Sequence, residues 1–129
     1  MVRRDPNDLS RRERQIMDVV YRLGRVTAID VRNALPDAPS NTAVRTLLTI
    51  LEQKGHLTHI VDGPRYIYEP TVPREEAAKD FIGGMLQTFF DGSIERAVTT
   101  LLNTEEANLT DDQLERLAAL IELARKEGR

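Results

Sequence analysis

The run from Pro39 to Glu69, PSNTAVRTLLTILEQKGHLTHIVDGPRYIYE, constrains the fold more than any other part of the chain. Ser40 is placed to cap a helix whose Val44, Leu47, Leu48 and Leu51 fall within one arc at about 100° per residue. Lys54-Gly55 is a stop signal. Beyond it, Leu57 to Val61 and Arg65 to Glu69 are rich in β-branched and aromatic residues and flank Asp62-Gly63-Pro64, which predicts a tight hairpin with an arginine at its tip.

Two shorter helices precede this run. Ser10-Arg11-Arg12-Glu13 fits a capping box, followed by an apolar stripe of Ile16, Val19, Val20 and Leu23 and a closing Gly24. Thr27 caps a second helix with Ala28, Val31, Ala34 and Leu35 inward, ended by Pro36 and Pro39. Three helices leading into a hairpin predict a winged helix-turn-helix domain over residues 1–72, because Pro70 and Pro73 end the sheet.

Residues 73–129 read as helical, so the fold class is mainly α with a small β-hairpin. Residues 74–90 are expected to bury Ala78, Phe81, Ile82, Met85, Leu86 and Phe89. Asp91-Gly92 breaks that run, and Ser93 caps a segment with Ile94, Ala97, Val98 and Leu101 inward. Thr110-Asp111-Asp112-Gln113 is another capping box, with Leu109 and Leu114 as a hydrophobic staple. Asp111 and Asp112 suit the positive end of that helix, and Arg125 and Lys126 its negative end. Gly83-Gly84 costs roughly 1 kcal/mol per residue relative to alanine, so a close contact or a kink is expected to compensate.

The net charge of -3 looks wrong for a nucleic-acid binder, but the charge is unevenly spread. Residues 1–73 hold 11 Lys/Arg against 9 Asp/Glu, and residues 74–129 hold 7 against 12. Any nucleic acid should therefore meet the first half, where Arg3, Arg4, Arg11, Arg12 and Arg14 crowd the amino end. No apolar stretch approaches the roughly 20 residues that span a bilayer, and the amino end lacks the apolar run of a secretory signal. A cytoplasmic protein without direct membrane association is expected. Cysteine is absent, which removes disulfides, thiolate nucleophiles and cysteine metal sites together.

Little catalytic chemistry is written in the chain. There is no glycine-rich phosphate loop and no nucleophile beside a base, so neither an enzyme nor a cofactor is expected. His56 and His59 are the only histidines, and three residues apart along a strand they point to opposite faces, which excludes a shared metal ion.

The polar arc of the helix after Ser40 carries Thr42, Arg45, Thr46 and Thr49 opposite its apolar arc. A major groove about 12 Å wide admits one helix, provided that its side chains are polar and short enough for close approach. The threonines offer hydroxyls and methyl groups, and Arg45 can reach a guanine edge or a phosphate. Arg65 at the hairpin tip, and Arg11 with Arg12 at a helix start, are expected to contact the backbone. An exposed threonine face or a surface arginine also occurs with no ligand at all, and only the combination points to DNA.

The segments LSRRERQIMDVVYRLG, NTAVRTLLTILEQKG and DGPRYIYEPTVPREE together resemble the penicillinase-repressor (BlaI/MecI) family of bacterial winged-helix regulators. The resemblance covers residues 9 to about 76 and extends to the helical tail in layout. It implies a homodimer, an amino-terminal winged helix on each half of a palindromic operator, and a carboxy-terminal helical dimerisation region. Thr42, Arg45, Thr46 and Thr49 match the family's recognition helix and Arg65 its wing, and Ser40 at the helix start is expected among the DNA-binding residues. Family members that answer β-lactams resemble one another in an Asn-Phe bond cut by a membrane-bound sensor protease, an implied further partner. Here the comparable stretch is Leu102-Asn103-Thr104-Glu105, a departure from that pattern. The copper-responsive branch is similar but uses cysteine pairs, which this chain lacks.

The expectation is a repressor that binds an inverted repeat in double-stranded DNA as a homodimer. Dimerisation is expected through Phe81, Ile82, Met85, Phe89, Leu101, Leu114, Leu117 and Ile121, because the tail helices carry wider apolar faces than one small domain covers. Two-fold symmetry then sets half-sites about 10 base pairs apart. The alternative is a winged-helix protein interaction module without DNA readout.

Overall fold

A computed structural model describes residues 4–37, 39–104 and 108–128. The order is α1 (Arg11–Leu23), α2 (Ala28–Ala34), α3 (Asn41–Gln53), β1 (Leu57–Asp62), β2 (Arg65–Pro70), α4 (Arg74–Phe90), α5 (Ile94–Leu102) and α6 (Asp111–Lys126). Contacts divide the chain into two compact units, Met1–Gly84 and Met85–Arg129.

Helices α1, α2 and α3 each start on a side-chain cap. Glu13 N donates to Ser10 Oγ at 3.2 Å while Ser10 N donates to Glu13 Oε1 at 3.1 Å, and Thr27 with Asp30 repeats the reciprocal box on α2. Ala43 N donates to Ser40 Oγ at the start of α3. The end of α3 is a Schellman motif: His56 N donates to Leu51 O and Gly55 N to Glu52 O, with Gly55 at φ +86°. That turn aims the chain straight into β1.

The hairpin pairs Leu57 with Pro70 through Asp62 with Arg65, so the loop is Gly63-Pro64 alone and each strand is one residue longer than expected. Gly63 at φ +61° followed by a proline is the type II′ pattern, whose twist matches that of the flanking strands. Val26, between α1 and α2, adds a bridge to the outer edge, exchanging backbone hydrogen bonds with Tyr68 at 3.0 and 2.7 Å. Sequence reading missed this isolated bridge, since a single residue carries no periodic signal.

Ile16, Met17, Val19, Val20, Val26, Val31, Leu35, Val44, Leu48, Leu51, Leu57 and Tyr68 form one core. Two expectations fail at its margin. Leu23 is 56% exposed and Ala34 is exposed, because both sit in the last turn of a helix that has run past its covering elements. Met17 is buried instead, since α2, α3 and β2 all pack on α1 and widen its buried arc beyond one stripe.

Tail helices form as the sequence predicts, but burial does not follow. Ala78, Phe81, Ile82 and Phe89 are exposed, Met85 and Leu86 are half-buried, and of Ile94, Ala97, Val98 and Leu101 only Ala97 is buried. Leu114, Leu117 and Ile121 on α6 are exposed as well. A single copy of a thin helical segment has no second layer to cover them. Gly84 lies against the side chain of Asn7, where an added Cβ would come within 3.4 Å of Oδ1, while nothing stands within 4 Å of a Cβ at Gly83. One glycine thus has the expected close contact and the other does not.

Candidate nucleic-acid interface

The inner arc of α3 is anchored by Val44, Leu48 and Leu51, all at 0% exposure, and this fixes the helix rotation. Ser40, Thr42, Arg45, Thr46 and Thr49 consequently all face solvent. Arg45 forms no ion pair among the described residues. Thr46 Oγ1 donates to Thr42 O at 2.9 Å and Thr49 Oγ1 donates to Arg45 O at 3.0 Å. With their protons held by the backbone, these hydroxyls keep only acceptor capacity, and their methyl groups complete a short, half-apolar face. Such a face can accept from an adenine or cytosine amino group, or touch a thymine methyl. Sequence reading found these residues but not this polarity, which depends on rotamers.

Arg65 is exposed at the hairpin tip and reaches its cross-strand neighbour Asp62 at 3.3 Å. Arg11 is exposed in the first turn of α1. Arg12 is not free: its guanidinium forks onto the carboxylate of Asp37, with Nη1 at 2.7 Å, and also donates to Gln15 Oε1 at 3.1 Å. The hydrogen bond to Asp37 raises the pKa of Arg12, and the same bond lowers that of Asp37. A carboxylate here occupies a fork whose planar geometry suits a phosphate equally. Asp37 offered no signal in the sequence, since 25 residues separate the partners. Arg4 pairs with Asp80, and Arg3 lies outside the described residues.

The two histidines hold the scaffold of this surface. His59 Nδ1 is 2.6 Å from Glu52 Oε1 on α3, and its ring stacks on Tyr66 of β2 at 4.2 Å and 16°. It therefore braces α3 against the hairpin. His56 is buried at 2% exposure, and burial, followed by the positive charges of Arg4 and Lys54, pushes its pKa down. No three His, Cys, Asp or Glu side chains gather in a metal-holding group among the described residues. No described helix is long and apolar enough to cross a membrane.

Comparison with known proteins agrees with this architecture. A solved structure of MepR, a transcription regulator of the Staphylococcus aureus multidrug efflux pump MepA, is similar in fold, with a TM-score of 0.50 at 18% identity over 95% of this chain and 82% of that one. The solution structure of the DNA binding domain of the repressor BlaI is 24% identical, covers 54% of this chain and 88% of that one, and gives a TM-score of 0.49. No curated protein matches the chain. The penicillinase repressor family model matches residues 9–123, which takes in the winged helix and nearly all of the helical tail. The chain therefore belongs to the penicillinase repressor family, a family of DNA-binding transcriptional regulators and not of enzymes.

Proposed function

We propose that the protein is a cytoplasmic, sequence-specific repressor that acts as a homodimer on a palindromic operator, residues 1–72 reading DNA and residues 73–129 joining the two copies. The observation that carries this reading is the solvent-facing arc of Thr42, Arg45, Thr46 and Thr49 opposite the fully buried Val44, Leu48 and Leu51. In this reading Arg45 reaches a guanine edge, the threonines contact amino or methyl groups, and Ser40 sits close to the backbone at the start of α3. Arg65 on the wing and Arg11 with Arg12 on α1 contact phosphates, Arg12 exchanging Asp37 for DNA. A membrane-bound sensor protease enters this reading only as the further partner that the family resemblance implies, because Leu102-Asn103-Thr104-Glu105 at the end of α5 departs from the Asn-Phe bond such a protease cuts, and its Glu105 lies outside the described residues.

A gel-shift titration against the chain's own promoter region tests the reading. Arg45→Ala should weaken binding by about 1–3 kcal/mol if it reads a base, and Thr46→Ala should weaken it as well. With about eight phosphates neutralised by a dimer, affinity should fall with salt at a log-log slope of roughly -7. Equal affinities for wild type and both variants would remove the recognition-helix assignment and leave the protein-interaction alternative.

A further inference from the structure

An open cleft of about 770 Å³ lies among the amino-terminal segment, α1 and the first half of α4. All of its lining residues belong to the first compact unit. Its size falls within the roughly 300–1,000 Å³ typical of small-molecule sites. Met17, Phe81 and Ile82 contribute apolar surface, and the rings of Tyr21 and His56 add flat walls. Around these stand the guanidinium groups of Arg4, Arg14, Arg22 and Arg74 against the single carboxylate of Asp18.

Two features set this cleft apart from ordinary surface. Arg4 is tied to Asp80, but Arg14, Arg22 and Arg74 form no ion pair among the described residues, so the apolar floor is bordered by more positive than negative charge. In addition, His56 Nε2 is buried without any hydrogen-bond partner, a condition that nearly all buried polar atoms avoid. Guanidinium groups recognise carboxylates through paired, planar hydrogen bonds and also stack on aromatic faces.

We propose that this cleft is a binding site for a small aromatic carboxylate, its ring on the Met17, Phe81 and Ile82 surface and its carboxylate held by the arginine rim. The proposal does not depend on the DNA reading. Calorimetric titration of the full chain with 2-naphthoate, and with 2-naphthamide as the neutral counterpart, tests it directly. Expected are one saturable site per chain for the acid, binding of the amide weaker by about tenfold or more, and a similar loss for the acid in an Arg22→Gln/Arg74→Gln double variant. Both positions are exposed, so the variant should keep its circular dichroism spectrum. Amide and ring resonances of Tyr21, His56 and Ala77 should shift on binding. Equal affinity for acid and amide, an unaffected double variant, shifts concentrated on α6, or no binding at millimolar acid would each overturn the proposal.

Discussion

Glu13 is only 5% exposed, and at that depth a carboxyl would ordinarily hold its proton. Burial does push its pKa upward, but Lys54 Nζ at 2.7 Å and the amide and hydroxyl of Ser10 outweigh it and bring the pKa below the usual range. A lowered folded-state pKa means stabilisation that is fully present above the unfolded value of about 4.3 and is lost as pH falls through the folded one. Glu13→Gln should therefore cost about 1–3 kcal/mol near neutral pH and flatten the acid limb of stability. Urea unfolding near pH 7 and near pH 4 checks this, and a variant as acid-sensitive as wild type would refute it. The capping role of Glu13 was legible in the motif, but its tie to Lys54, 41 residues away, was not.

At the scale of elements, two glycines should respond with opposite sign to the same substitution. Gly63 turns the hairpin at φ +61°, and a Cβ there would meet nothing within 4 Å, so the cost of Gly63→Ala is backbone strain alone, about 1–2 kcal/mol. Gly83 lies inside α4 with equally open space and no positive φ. Gly83→Ala should stabilise by roughly 0.5–1 kcal/mol. Thermal melts of both variants decide the matter, and a shift of the same sign in both would show that one backbone assignment is wrong. Helix limits were legible in the sequence because caps and glycine stops act locally. The Val26 bridge was not, because it depends on where β2 comes to lie.

For the whole molecule, exposed apolar surface is the feature that asks for a partner. Phe89 is 73% exposed, Leu120 62%, Ile121 61% and Leu101 59%, and isolated soluble chains rarely leave so many large side chains on successive helices in water. If a second copy covers them, wild type should sediment as a dimer at micromolar concentration. Leu117→Asp with Ile121→Asp should shift it to monomer, while circular dichroism retains the helices. Sedimentation of wild type as a monomer alone would remove the dimer from the proposed mechanism.

Element types, their caps and the polar arc on α3 were determined by the sequence itself, because each follows from the chemistry of residues within about one turn of one another. The tertiary structure alone decided which margins of the core stay wet, that Asp37 occupies the fork of Arg12, and that His59 braces α3 to the hairpin. It also decided that a cleft with an arginine rim forms beside α1. These facts join residues far apart in the chain, and such proximity is fixed by packing, which leaves no period or motif in the sequence.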